Sequence, residues 1–122
     1  FIVEGASFGD SLGSAVSIFG DFNDDGLDDL AVSAPGGDPD SRSGAGEVYI
    51  IFGNNGEKFI DLGDLDGASF VRLDGINASD AIGETANSIG PGGDFNGDGI
   101  DDFIFGSISA DPGGLGNAVR PM

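Results

Sequence analysis

The sequence predicts an all-β chain built from a repeated unit. Three observations carry that expectation. The apolar residues fall in short runs rich in β-branched and aromatic side chains, at residues 1–3, 15–19, 30–34, 47–52, 70–73 and 103–105. Each run is bounded by Gly, Asp, Asn or Pro, the punctuation of strands and turns. No window of about 11 residues or more carries a 3.6-residue apolar period, so helices are not expected. Finally, a nine-residue segment recurs. Asp21-Phe22-Asn23-Asp24-Asp25-Gly26-Leu27-Asp28-Asp29 returns 73 residues later as Asp94-Phe95-Asn96-Gly97-Asp98-Gly99-Ile100-Asp101-Asp102.

Each element follows from its local pattern. The run at 15–19 leads into the first acidic segment, and the run at 30–34 starts directly after it. The two should be the arms of a hairpin. A glycine-rich loop at 36–46 precedes Val48-Tyr49-Ile50-Ile51-Phe52, which is apolar throughout. A strand with no polar face suits a position covered on both sides, as in stacked sheets. A longer loop leads to the run at 70–73. The flanks of the acidic segment repeat too: residues 1–4 align with 70–73, and 11–13 with 81–83. The unit therefore reads strand, acidic loop, strand, glycine-rich loop, strand, longer loop, strand. Several short strands at this period point to a propeller-type array rather than a helical solenoid. One full copy is present and the second is cut short near Met122. Its Pro91-Gly92-Gly93 stretch is poor material for an inner strand.

Composition narrows the function. The 122 residues carry 22 Asp+Glu against 4 Lys+Arg, a formal charge of −18. Such a chain repels phosphate backbones and anionic lipid, so neither nucleic-acid binding nor membrane insertion is expected. There is no Cys and no His. That excludes a disulfide framework, a zinc finger, a Ser-His triad and a Cys nucleophile. Gly occurs 24 times, but Leu, Ile, Val and Phe together make 34 of the residues, enough for a folded core. No leader is present and the first residue is Phe1, so the chain reads as processed or excerpted.

The acidic loops hold the chemistry. Oxygen-bearing side chains stand at positions 1, 3, 5 and 9 (Asp21, Asn23, Asp25 and Asp29), with Gly26 at position 6. Leu27 at position 7 can offer its backbone carbonyl. The second loop keeps every element in Asp94, Asn96, Asp98, Gly99, Ile100 and Asp102. Alternate oxygen ligands around a glycine turn are the logic of a Ca²⁺ loop, and two Ca²⁺ sites are expected. Neither is an EF-hand, because position 12 is Val32 or Phe105 instead of Glu. Asp, Asn and Gly also favour plain turns without an ion. Against a plain turn, nine of the 22 acids are concentrated in the two loops, and close like charges disfavour folding unless neutralised. Adjacent pairs such as Asp24-Asp25 are not read as catalytic, since exposed hairpin loops provide no pocket to separate their pKa values. The aromatic residues Tyr49, Phe52, Phe70 and Phe103 are expected in the core between sheets.

These residues resemble the FG-GAP repeat of integrin α-subunit β-propellers and their bacterial relatives. The resemblance rests on Phe8-Gly9 or Leu12-Gly13, on the segment from Gly20 to Leu30, on Ser33-Ala34-Pro35, and on Gly46-Glu47-Val48-Tyr49-Ile50-Ile51-Phe52-Gly53. It is strong over residues 5–53 and looser over 69–111. It implies a β-propeller of four-stranded antiparallel blades, of which about one and a half are present. Residues 1–13 would end a preceding blade, 14–73 form one FG-GAP blade, and 74–122 a partial, degenerate second blade. In the second, Gly106-Ser107-Ile108 departs from the pattern, and Val119-Arg120-Pro121-Met122 replaces a strand.

The resemblance also implies a role. It is that of a non-catalytic, extracellular or cell-surface module for adhesion and protein binding, with Ca²⁺ in the ten positions named above. A protein or glycan ligand would meet the propeller face. Further blades, from the parent chain or from self-association, would complete the fold. Two alternatives remain: the accessory propeller of a secreted, phospholipase-like hydrolase, or a truncated remnant without function.

Overall fold

The computed structural model describes residues 1–53, 56, 59–64 and 69–110. It is all-β apart from one short 3-10 turn. The strands are β1 (Ile2–Glu4), β2 (Val16–Gly20), β3 (Asp29–Ala34), β4 (Glu47–Ile51), β5 (Phe59–Asp61), β6 (Phe70–Asp74), β7 (Ile89–Gly93) and β8 (Asp102–Phe105). Among the described residues no helix is long and apolar enough to cross a membrane.

The central sheet has the order β2-β3-β4-β6, and every neighbouring pair in it is antiparallel. All five residues of β4 are buried. Period-2 alternation explains how one strand serves two cores. Val48 and Ile50 point to one side, where they join Ala15, Phe19, Ala31, Ile82 and Ile89. Tyr49 and Ile51 point to the other, with Val32, Ala34, Ile60 and Leu62. The sheet is thus sandwiched between neighbours, as its unbroken apolar run predicts. The four aromatics expected in the core are there. Tyr49 is buried, and Phe52, Phe70 and Phe103 pack on the two clusters.

On one side lies the hairpin β7–β8. It reproduces the hairpin β2–β3 residue for residue. The first pairs Val16 with Val32, Ser17 with Ala31, Ile18 with Leu30 and Gly20 with Asp29, across a bulge between Ile18 and Gly20. The second pairs Ile89 with Phe105, Gly90 with Ile104, Pro91 with Phe103 and Gly93 with Asp102, across a bulge between Pro91 and Gly93. Every pair is displaced by the same 73 residues. Gly20 (φ +110°) and Gly93 (φ +58°) close the two bulges in conformations that suit glycine.

On the other side lies a pair the sequence does not foreshadow. β5, drawn from the long loop after β4, runs parallel to β1 and pairs Ile2 with Phe59, Val3 with Ile60 and Glu4 with Asp61. Four strands flanked by two-stranded sheets form a partial β-propeller, with one complete blade between parts of its neighbours.

Two expectations change. Pro91-Gly92-Gly93 is strand after all. Among the described residues β7 pairs only with β8, so it is an edge strand, where a missing N–H costs nothing. The 36–46 loop, expected free of helix, contains the 3-10 turn Pro39–Ser41. The irregular 119–122 ending lies outside the described residues.

Candidate metal centre

The two acidic segments connect β2 to β3 and β7 to β8, at the end of the sheets where β4 leads into Gly53. Their hydrogen bonds are as duplicated as their sequence. Asp21 accepts the N–H of Asp25 on Oδ1 at 2.9 Å and that of Gly26 on Oδ2 at 2.6 Å. Asp94 accepts from Asp98 at 2.9 Å and from Gly99 at 2.8 Å. Asp25 Oδ1 takes the N–H of Leu27, and Asp98 Oδ1 that of Ile100, both at 2.9 Å. The side-chain amide of Asn23 donates to Asp25 at 3.0 Å, and that of Asn96 to Asp98 at 3.1 Å. The ninth position closes each loop on its second residue. Phe22 N–H donates to Asp29 at 2.6 Å, and Phe95 N–H to Asp102 at 2.7 Å.

The backbone agrees. Gly26 and Gly99 sit at φ +88° and +87°, the left-handed conformation a glycine turn supplies. Position 4 is left-handed as well, at φ +59° for Asp24 and +76° for Gly97. The first loop thus places a side chain where the second has glycine.

All ten residues singled out from the sequence lie in these two loops. Leu27 and Ile100 enter the networks through their N–H groups. The side chains are held by loop amides, and among the described residues no three acidic groups are gathered as a metal cluster. The donor set nevertheless fits a hard cation. Every side-chain donor is oxygen, and a carboxylate oxygen that accepts one N–H retains a further lone pair. The charge also fits. Among the described residues every ion pair involves Arg42 or Arg72, with Asp40, Asp74 and Glu47 as partners. Those lie at the opposite end of the central sheet, so among the described residues no basic side chain pairs with either loop.

Three contributors escaped the sequence reading. Gly53 donates its N–H to the other oxygen of Asp29 at 2.8 Å. With this second bond Asp29 is buried, whereas Asp102 is half-buried. A Cβ on Gly53 would lie 2.4 Å from the carbonyl oxygen of Asp28. Asp101 occupies the space beside Gly20, where a Cβ would come within 2.1 Å of its carboxylate. Phe22 packs against Phe103, which follows the last acid of the second loop. The duplicated Phe22 and Phe95 were a visible signal; the partners of Gly53 and Gly20 come from segments distant in sequence and leave none.

The opposite end of the sheet carries a different network. Tyr49 donates its hydroxyl to Glu47 at 2.5 Å. Burial first, then this hydrogen bond to a carboxylate, pushes the Tyr49 phenol well above its ordinary value. Arg72 holds Asp74 with Nε at 2.6 Å and approaches Glu47 at 3.7 Å. Its guanidinium is held even more firmly protonated, chiefly by the Asp74 hydrogen bond.

Comparison with known proteins agrees with this architecture. Residues 8–51 match the FG-GAP repeat family. Over 96 residues, 78% of this chain, the sequence is 41% identical to the phosphatidylinositol-glycan-specific phospholipase D of Rattus norvegicus. It is 40% identical to the Bos taurus protein of that name and 38% to the Homo sapiens one, each over 90 residues and 73% of this chain. The matched stretch is only 10–11% of the length of these relatives. The FG-GAP match over residues 8–51 takes in β2, β3 and β4 of the partial β-propeller.

Proposed function

We propose that the chain is a non-catalytic, Ca²⁺-binding segment of a β-propeller that holds a recognition surface outside the cell. The observation that carries this reading is the duplication of one hydrogen-bond network in two loops of the same pattern, both without a basic partner among the described residues. A bound Ca²⁺ would supply the positive charge each loop lacks. Asp21, Asn23, Asp25, Leu27 and Asp29 would hold one ion, and Asp94, Asn96, Asp98, Ile100 and Asp102 the other. The loops already have the turn such a site requires, so binding would lock hairpins that are largely formed. Loops at the far end, 36–46 above all, would then meet a protein or glycan partner from a rigid scaffold.

A second reading concerns the parent protein. The relatives named above are phospholipases by name, and they favour an accessory propeller of a secreted hydrolase over an adhesion receptor. Both readings assign the same task to this segment.

Calorimetric titration of the chain with Ca²⁺, then with Mg²⁺, tests the proposal. We expect two Ca²⁺ sites with dissociation constants on the order of 10⁻⁴–10⁻³ M, weaker Mg²⁺ binding, and a rise in melting temperature. An absence of both heat and thermal stabilisation would remove it.

A further inference from the structure

An asparagine side-chain amide is chemically labile when the next backbone nitrogen can reach it, and glycine lets that nitrogen approach most closely. The sequence holds two Asn-Gly pairs, Asn55-Gly56 and Asn96-Gly97. Asn55 lies outside the described residues. Asn96-Gly97 falls at positions 3 and 4 of the second acidic loop, where the first loop has Asn23-Asp24.

The folded loop leaves this pair open to reaction. Residues 94–99 are all exposed. Other glycines that follow an acid have their nitrogens engaged. Gly26 N–H donates to Asp21 at 2.6 Å, Gly99 N–H to Asp94 at 2.8 Å, and Gly75 N–H to the carbonyl of Gly46 at 2.8 Å. Among the described residues the N–H of Gly97 has no hydrogen-bond partner. The Asn96 amide, in contrast, is held at both ends. Its Nδ2 donates to Asp98 Oδ2 at 3.1 Å, and its Oδ1 accepts the N–H of Asp98 at 3.2 Å. Asn23 makes the first kind of bond, to Asp25 at 3.0 Å. The second has no counterpart there, since the N–H of Asp25 donates to Asp21 instead.

We propose that Asn96 is a self-modification site, at which the second loop converts its own asparagine to aspartate and isoaspartate. The Gly97 nitrogen attacks Cγ of Asn96, a ring closure favoured by proximity within one dipeptide. As the N–Cγ bond forms, negative charge develops on Oδ1, where the Asp98 N–H already donates. The Cγ–Nδ2 bond then breaks. That nitrogen leaves as ammonia, taking the proton from Gly97 N–H. Water, the only co-reactant, opens the resulting five-membered imide. Its addition at Cγ gives aspartate. Its addition at the main-chain carbonyl carbon gives isoaspartate, in which the chain runs on through the former side chain. Nothing is oxidised or reduced.

Either product adds a negative charge to a loop that has no basic partner among the described residues. Isoaspartate also lengthens the main chain by one carbon between positions 3 and 4. The second loop then loses the spacing it shares with the first. The change runs one way and is confined to one loop. On the Ca²⁺ reading above, on which this one consequence rests, the second ion site is the one that ages.

The test is peptide mapping by mass spectrometry after incubation of the full chain near neutral pH. A chelator is present throughout, so the outcome does not depend on Ca²⁺ binding. We expect Asn96 to convert in the folded chain within about tenfold of its rate in guanidinium-unfolded chain, or faster, because no local opening is required. Both aspartate and isoaspartate should form. Gly97→Asp copies the first loop, whose Asp24 adopts the same left-handed turn, and an added Cβ at Gly97 meets nothing within 4 Å. It should keep the native circular dichroism and slow conversion at least about tenfold, since the attacking nitrogen is then hindered. Asp24→Gly places the same pair in the first loop, where Asn23 should convert more slowly than Asn96. Conversion of Asn96 more than about tenfold slower in the folded than in the unfolded chain would overturn the proposal. So would an unchanged rate in Gly97→Asp, or aspartate without isoaspartate, which would mean direct hydrolysis. Equal rates for Asn23 in Asp24→Gly and for Asn96 would overturn the role of the Asp98 N–H.

Discussion

The ring of Phe22 meets the ring of Phe103 edge to face, with centroids 5.9 Å apart and planes at 74°. This contact joins the two acidic loops, since Phe22 is the second residue of one and Phe103 directly follows the other. Phe95, the second residue of the second loop, is 85% exposed. Equivalent positions in the two loops therefore differ in energy. Phe22→Ala should destabilise the chain by about 2 kcal/mol through lost apolar burial and ring contacts. Phe95→Ala should stay within about 0.5 kcal/mol. Urea denaturation of both variants checks this; equal effects would mean that Phe22 is not in the core.

Gly53 is required by what surrounds it. A methyl group there meets the Asp28 carbonyl at 2.4 Å and Leu27 Cβ at 2.8 Å, and disturbs the bond to Asp29. Gly53→Ala should cost about 1–3 kcal/mol as an overpacked site. It should also weaken one of the two proposed Ca²⁺ sites and spare the other. Gly90 has nothing within 4 Å of an added Cβ. Gly90→Ala is the control, expected to be close to neutral in thermal melts.

Asp24 adopts φ +59° where its counterpart Gly97 adopts +76°. The first loop thus strains a side chain that is not among the expected ligands. Asp24→Gly removes the strain and one repelling charge, while the unfolded chain gains entropy. A net stabilisation of about 0.5 kcal/mol is expected without Ca²⁺. Calorimetric titration should still find two sites; loss of one would make Asp24 a ligand.

Tyr49 is the only tyrosine, so its ionisation can be followed alone. Burial, the hydrogen bond to Glu47 and the charge of Glu47 all hold the folded phenol neutral above its ordinary range. The unfolded phenol ionises near pH 10. The contribution is therefore fully present below about pH 10, and is lost as pH rises from there toward the folded pKa. Tyrosinate absorbance should appear together with loss of β-sheet circular dichroism. Reversible ionisation near pH 10 with the dichroism intact would contradict the buried contact.

Much of this protein is local in origin, and that part was readable. The geometry of each acidic loop is set within one chain segment, so the turn from Asp21 to Asp29 was readable, and its copy from Asp94 to Asp102 repeats it. β4 announced its double burial because no polar residue interrupts residues 48–52. Pro91 misled because proline argues against a strand only where both edges are paired, and pairing is not a local property. β5 was missed because three residues in a long loop have no pattern of their own; β1 makes them a strand.

By itself the sequence determined an all-β propeller unit, its repeat, its acidic loops and the oxygen chemistry they offer. These follow from residue type, from spacing within short segments and from a 73-residue repeat, all read along the chain. The tertiary structure alone decided which carboxylate is buried, through Gly53, and which phenylalanine is core, through Phe103. It also decided which face of the central sheet is left open. Those outcomes depend on groups brought together from separate strands, and a linear pattern contains no distance between them.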